Sequence, residues 1–175
     1  ELKRGNFLFT MMGKPWLVKI GTRLAPWAIR IGLPVKGIIR KTIFSQFCGG
    51  ESLEQTADVA RMLAKYNVKI ILDYGVEGKE GEANFDQASD MFIKVIDYAA
   101  TQPNIPFMSV KVTGFARQAL LEKIDLLMKA GEGSLNKRFE KALYDLAPEE
   151  RSEWDRIHQR VNRVCEAAAA KSIGV

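Results

Sequence analysis

An Asp, a Glu and a Lys stand where two apolar runs of this chain end. The runs are Ile70-Ile71-Leu72-Asp73-Tyr74-Gly75-Val76-Glu77 and Met108-Ser109-Val110-Lys111-Val112-Thr113. Each reads as a buried strand closed by charge. A charge at the end of a core strand must be paired or be given up, at about several kcal/mol per group. Ligands of parallel α/β sheets collect at those carboxyl ends. Along the second run, Ser109, Lys111 and Thr113 alternate onto one more polar face. If the two strands are neighbours, Asp73 and Glu77 come within reach of Lys111 and keep its ammonium charged. Such a Lys grips a carboxylate or another anion, whereas one with a depressed pKa acts as a base or nucleophile. The spacing leaves both open, and with them a Lys that merely snorkels from an edge strand.

Other chemistries have little to stand on. Cys48 and Cys165 lie apart without a C-x-x-C spacing, so neither a zinc site nor a disulfide framework is indicated, and a reducing compartment is expected. His158 is the single histidine and falls in a charged helical stretch, which argues against a His-based triad or a multi-histidine metal site. No metal is expected. The glycine-rich loop 75–81 has neither the Walker spacing nor the dinucleotide fingerprint, and its acids would repel phosphate.

The elements that must position Asp73, Glu77 and Lys111 alternate. A first strand is expected over 43–48, then a helix over 53–64 capped by Ser52 with Gln55 three positions on. Asn67 ends that helix before a strand over 68–73. A loop over 74–84 leads to a second helix carrying Phe85, Met91, Phe92, Val95 and Ile96, and a third strand spans 106–113. Alternation of this kind predicts right-handed crossovers and a parallel sheet. Beyond Gly114 the pattern is helical. Leu120, Ile124 and Leu127 share one face, Phe139, Leu143 and Leu146 another, and a last helix runs from 148 to about 171. Three parallel strands leave open edges, so residues 42–175 read as the front part of a larger α/β domain. On this reading residues 172–175 lead into a further strand, and the open edges could recruit a second copy.

Size and charge fit a soluble globular domain: 175 residues, 47% hydrophobic and 27% charged. The net charge of +5 is concentrated at one end, because residues 1–41 carry nine Lys and Arg against Glu1 alone. There Trp16, Leu17, Ile20, Leu24, Trp27 and Ile31 recur at helical spacing beside Lys19, Arg23 and Arg30. Pro15 suits the first turn, Pro26 should kink the helix, and Gly32-Leu33-Pro34 should break it. Tryptophans flanked by cations suit a membrane interface, through Trp16, Arg23 and Trp27 in particular. A helix packed on its own protein is the alternative. Nucleic acid is the weakest reading, since no reader motif accompanies the charge. No apolar run is long enough to span a bilayer.

Residues 42–114 closely resemble the start of the catalytic domain of proline dehydrogenases, and the wider likeness covers essentially the whole chain. In that family the second strand ends with Asp and, four residues later, Glu, as do Asp73 and Glu77 here. The third carries Lys in a Ser-x-Lys-x-Ser/Thr setting, as in Ser109-Val110-Lys111-Val112-Thr113. The basic, Trp-bearing segment is similar to that of the single-function branch. The resemblance implies a partial (βα)8 TIM-type barrel with three parallel strands, over 42–175, preceded by basic amphipathic helices over 1–41. It implies oxidation of L-proline to 1-pyrroline-5-carboxylate by hydride transfer to FAD, with electrons passing to a membrane quinone. Lys111 would bind the substrate carboxylate, Glu77 would pair with a substrate-closing arginine, and Asp73 would support Lys111. The family's Asp-Ala-Glu, Arg-x-x-Lys-Gly and paired-arginine motifs have no match in this chain. No catalytic residue is therefore expected within it, and turnover and FAD retention by this chain alone are not expected. The implied location is bacterial cytoplasm, peripheral to the inner membrane, or the mitochondrial inner membrane in a eukaryote. A non-catalytic helical module for a membrane surface or a partner is the alternative.

Overall fold

The computed structural model describes residues 2–44, 47–75 and 80–175. It divides into two compact units, Glu1–Arg61 and Met62–Val175, and is mostly helical.

The first unit opens with α1 (Leu2–Met12), α2 (Pro15–Arg30) and α3 (Val35–Ile39), followed by a π-helical turn over Arg40–Phe44. Pro15 occupies the first turn of α2, where its missing N–H is no loss, and the helix runs on through Pro26. Its end is set by Gly32. At φ +79° Gly32 takes the left-handed position that lets the Leu33 N–H bond back to the Ala28 carbonyl at 3.0 Å.

The strand expected over 43–48 is corrected here: its described residues are not extended. Ile43 and Phe44 belong to the π-helical turn, and the Cys48 N–H returns to the Phe44 carbonyl at 2.8 Å, a helical bond. A short apolar run has the same pattern in a strand and in a helical segment, and here local helical bonds won. Next comes α4 (Leu53–Ala64). Ser52 Oγ accepts the Gln55 N–H at 3.4 Å, as the sequence suggested, while the Gln55 side chain accepts the Glu51 N–H at 3.0 Å. Asn67, at φ +56°, closes the helix from the other end, with Val68 N–H bonded to the Leu63 carbonyl at 3.1 Å.

In the second unit, β1 (Ile71–Asp73) and β2 (Phe107–Ser109) pair in parallel, with Leu72 opposite Met108 and Asp73 opposite Ser109. Among the described residues these are the two strands, each shorter than expected. A parallel bridge joins Phe107 to Gly174 on the other edge of β2, secured by Met108 N–H to the Gly174 carbonyl and Gly174 N–H to the Pro106 carbonyl, both 2.9 Å. Residues 172–175 thus do lead to a third parallel position.

The crossovers are α5 (Glu82–Ala99) and α8 (Pro148–Ala170). Ion pairs climb their seam in step: Glu82 with Arg156 at 2.8 Å and with Arg160, Asp86 with Arg160 at 2.7 Å, Asp90 with Arg163, and Asp97 with Lys171 at 3.0 Å. Numbers that rise on both sides mean that the two helices run parallel. Phe85, Phe92, Val95 and Ile96 of α5 are buried, as are Leu72 and Met108 of the sheet. The opposite face is open, with Ile71, Asp73 and Phe107 exposed. The expectation of fully buried strands is corrected accordingly, because among the described residues the helices of this unit cover one face of the sheet.

Between β2 and α8, α6 (Gln118–Ala130) and α7 (Leu135–Tyr144) pack together. Leu120, Ile124, Ala142, Leu146 and Ile157 form their buried cluster, with Leu127, Phe139 and Leu143 against it, so the two faces read from periodicity meet in one core, joined by Ile157 of α8.

Candidate functional site

Two parallel strands deliver opposite charges to one end of the sheet. Asp73 closes β1. Lys111 lies two residues beyond Ser109, its register partner, with extended backbone (φ −108°, ψ 117°), so its side chain leaves the same face as Ser109. The diagonal neighbours meet: Lys111 Nζ is 3.2 Å from Asp73 Oδ2. Their side chains are 41% and 53% exposed. The pair is therefore an open ion pair at a sheet end, where the sequence suggested a buried one. Glu77 lies outside the described residues.

Immediately after Lys111 a 3-10 turn, Val112–Gly114, bends the chain inward, with Gly114 N–H on the Lys111 carbonyl and Phe115 N–H on the Val112 carbonyl, both 2.9 Å. Thr113 is thereby carried off the strand face. Phe115 is fully buried and packs on Phe92 (centroids 5.0 Å apart), which in turn meets Tyr74 edge-on at 5.9 Å. Tyr74 follows Asp73 and Phe115 closes the turn after Lys111, so one aromatic stack anchors both arms of the site.

Sequence reasoning missed Arg160. Its side chain is 5% exposed and reaches from α8 to the Phe115 carbonyl at 3.2 Å through Nη1, with Nε on Asp86 and Nη2 on Glu82. Burial opposes its charge, and the hydrogen bonds to Glu82 and Asp86 overcome that, so its pKa is raised. The Arg156 hydrogen bond, helped by Arg160, holds the Glu82 carboxyl below its usual range. Arg160 thus fixes the turn that follows Lys111. The signal was present: Arg160 stands on the helical stripe of Ile157, Val164 and Ala168, where an apolar residue belongs.

Chemically, the described geometry offers an accessible ammonium whose present partner is a carboxylate, and a carboxylate-bearing ligand could compete for it. Among the described residues no group of three or more His, Cys, Asp or Glu could hold a metal ion. Nor do these residues fit a flavin dinucleotide. Its pyrophosphate needs several uncommitted donors, and beside the open Lys111 the described cations Arg117, Arg156 and Arg160 are each held by carboxylates.

No family model matches the chain, and no solved structure matches it. Curated proteins do. A protein named proline dehydrogenase 1, mitochondrial, from Dictyostelium discoideum is 33% identical over 102 residues, 57% of this chain and 18% of that protein. Its namesake from Arabidopsis thaliana is 30% identical over 98 residues, 54% of this chain and 20% of that protein. The carbapenem antibiotics biosynthesis protein CarD of Pectobacterium carotovorum subsp. carotovorum is 25% identical over 140 residues, 80% of this chain and 33% of that protein. The chain spans between about a fifth and a third of the length of these relatives. On these matches, the chain is similar to proline dehydrogenases over a little more than half of its length.

Proposed function

We propose that this chain forms part of an enzyme that oxidises L-proline to 1-pyrroline-5-carboxylate, in which Lys111 holds the substrate carboxylate and Asp73 holds Lys111. The observation that carries the reading is the Lys111–Asp73 ion pair, open to solvent at the carboxyl ends of adjacent parallel strands. The names of the matched relatives support the substrate. Glu77 belongs to the same proposal, as the partner of an arginine that closes over proline.

The reading takes the sheet as the first part of a (βα)8 barrel. Parallel order and two crossover helices packed side by side support it. FAD is the redox cofactor of the complete enzyme, and a membrane quinone is its final acceptor. The described residues build a site for neither, so the role assigned to this chain is substrate binding.

A charge-assisted hydrogen bond contributes about 1.5–3 kcal/mol. Its loss should weaken proline binding about 10–100-fold. In the full-length enzyme, Lys111→Met should therefore raise KM for proline by about that factor with flavin content unchanged. An unchanged KM would remove Lys111 from the site, and a wild-type enzyme that reduces no dye with proline would overturn the reading as a whole.

A further inference from the structure

The backbone that carries Lys111 is held from two sides. Before it, the β1–β2 register sets Ser109 opposite Asp73. After it the chain leaves the ladder, because Val112–Gly114 is a 3-10 turn and the Lys111 carbonyl accepts the Gly114 N–H at 2.9 Å. An ammonium on a flexible four-carbon stem is aimed by the backbone beneath it and by its partners. The direction of Lys111 therefore depends on where that turn is pinned.

The pin is Phe115, whose ring packs on Phe92 and whose carbonyl accepts Arg160 Nη1 at 3.2 Å. Ring packing accepts a range of separations, whereas a charge-assisted hydrogen bond is directional. Arg160 is itself tightly placed. Its Nε lies 2.7 Å from Asp86 Oδ1, its Nη2 meets Glu82, and its guanidinium stands over the Phe85 ring at 5.6 Å. One buried, planar fork thus links α8, α5 and the turn. Arg163, next along the same seam, is half exposed and pairs with Asp90 on α5. Burying a guanidinium is a poor route to stability, since an apolar residue of similar volume often serves as well. What the fork adds is position, and a binding group works only within about 0.5 Å of its productive place.

We infer that Arg160 is a positioning residue for carboxylate binding: by holding the Phe115 carbonyl it fixes the turn after Lys111 and so aims the Lys111 ammonium. Arg160 acts through Lys111 and touches neither substrate nor flavin. This role rests on the proline-binding reading of Lys111 given above.

The test is a double-mutant cycle on the full-length enzyme, with KM for proline and kcat read by dye reduction and the folded fraction by circular dichroism. Arg160→Leu should raise KM by about two- to thirtyfold, the span of coupling through intermediary residues, with kcat per folded enzyme little changed. In a Lys111→Met background the same substitution should raise KM no further, because the ammonium it aims is gone. A purely structural role would instead lower the active fraction, and with it the apparent kcat, and leave KM alone. Arg163→Leu, which takes an ion pair from the same seam, should leave KM unchanged. Should Arg160→Leu not fold, Asp86→Ala decides. It frees one arm of the fork at an exposed carboxylate and should give a smaller rise in KM that also vanishes without Lys111. An unchanged KM in the folded variant, or a rise that persists in full beside Lys111→Met, would overturn the positioning role while leaving Lys111 in the site. If Lys111→Met alone leaves KM unchanged, the proline-binding reading fails first and the positioning role falls with it.

Discussion

Lys111 and Asp73 come together across two parallel strands, Nζ to Oδ2 at 3.2 Å, with both side chains about half in water. An ion pair so exposed adds only about 0.2–1 kcal/mol to folding. It is better placed to bind than to stabilise. Lys111→Met should therefore move the urea midpoint by the equivalent of less than about 1 kcal/mol, while on the proposed function it should raise the full-length enzyme's KM for proline at least about tenfold. A loss of several kcal/mol in folding would assign the Lys to scaffold.

Arg160 should behave in the opposite way. Its guanidinium satisfies the Phe115 carbonyl and two carboxylates from a buried position. Removal leaves Glu82 with Arg156, but leaves the Phe115 carbonyl without this donor. Glu82 and Asp86 are themselves partly exposed and can turn to water, so the loss falls below that of a fully buried pair. Arg160→Leu should cost about 2 kcal/mol in stability. Arg160→Lys should recover little, because one ammonium cannot span three acceptors. Full rescue by Lys would show that charge alone, and not the fork, holds the turn.

Much of the second unit was legible from periodicity. The helical faces of Leu120, Ile124, Phe139, Leu143 and Leu146 converge as their spacing implies. So do the strand ends at Asp73 and Lys111, because an Asp closing one apolar run and a Lys on the polar alternation of another have few places to go. The run over 43–48 failed because six residues, four of them apolar, are too few to carry a period that separates strand from helix. Burial was overestimated at Asp73 and Lys111 for a related reason: the sequence shows that strands are apolar, not how many of their faces are covered. Arg160 was hidden because its partners, Glu82 and Asp86, lie a whole crossover away in sequence.

Gly174 offers a test of the third parallel position. A Cβ there would overlap the Phe107 ring. That ring is more than half exposed and can swing outward, so Gly174→Ala should fall at the low end of overpacking, about 1 kcal/mol. Phe107→Ala on the same background should relieve most of that loss, giving a non-additive cycle. Strict additivity would show that Gly174 does not lie against Phe107 in solution.

Acid should loosen the α5–α8 seam in a defined window. The Arg156 hydrogen bond first, and Arg160 with it, hold the Glu82 carboxyl below its ordinary 4.5. A carboxyl whose pKa is depressed by folding binds its proton less readily in the native state. Its stabilising effect is therefore complete above about 4.5, the unfolded value, and is lost as pH falls through the lower folded value. Glu150, lowered by the Lys123 hydrogen bond and the Ala147 N–H, acts in the same direction. Stability from urea titrations should thus be flat with respect to these groups between about pH 7 and 5.5 and should fall below about pH 4.5. Glu82→Gln should be less stable than wild type at neutral pH and should show a shallower decline in acid. If the acid slope of Glu82→Gln matches wild type, the carboxylate is not the titrating link between the two crossover helices.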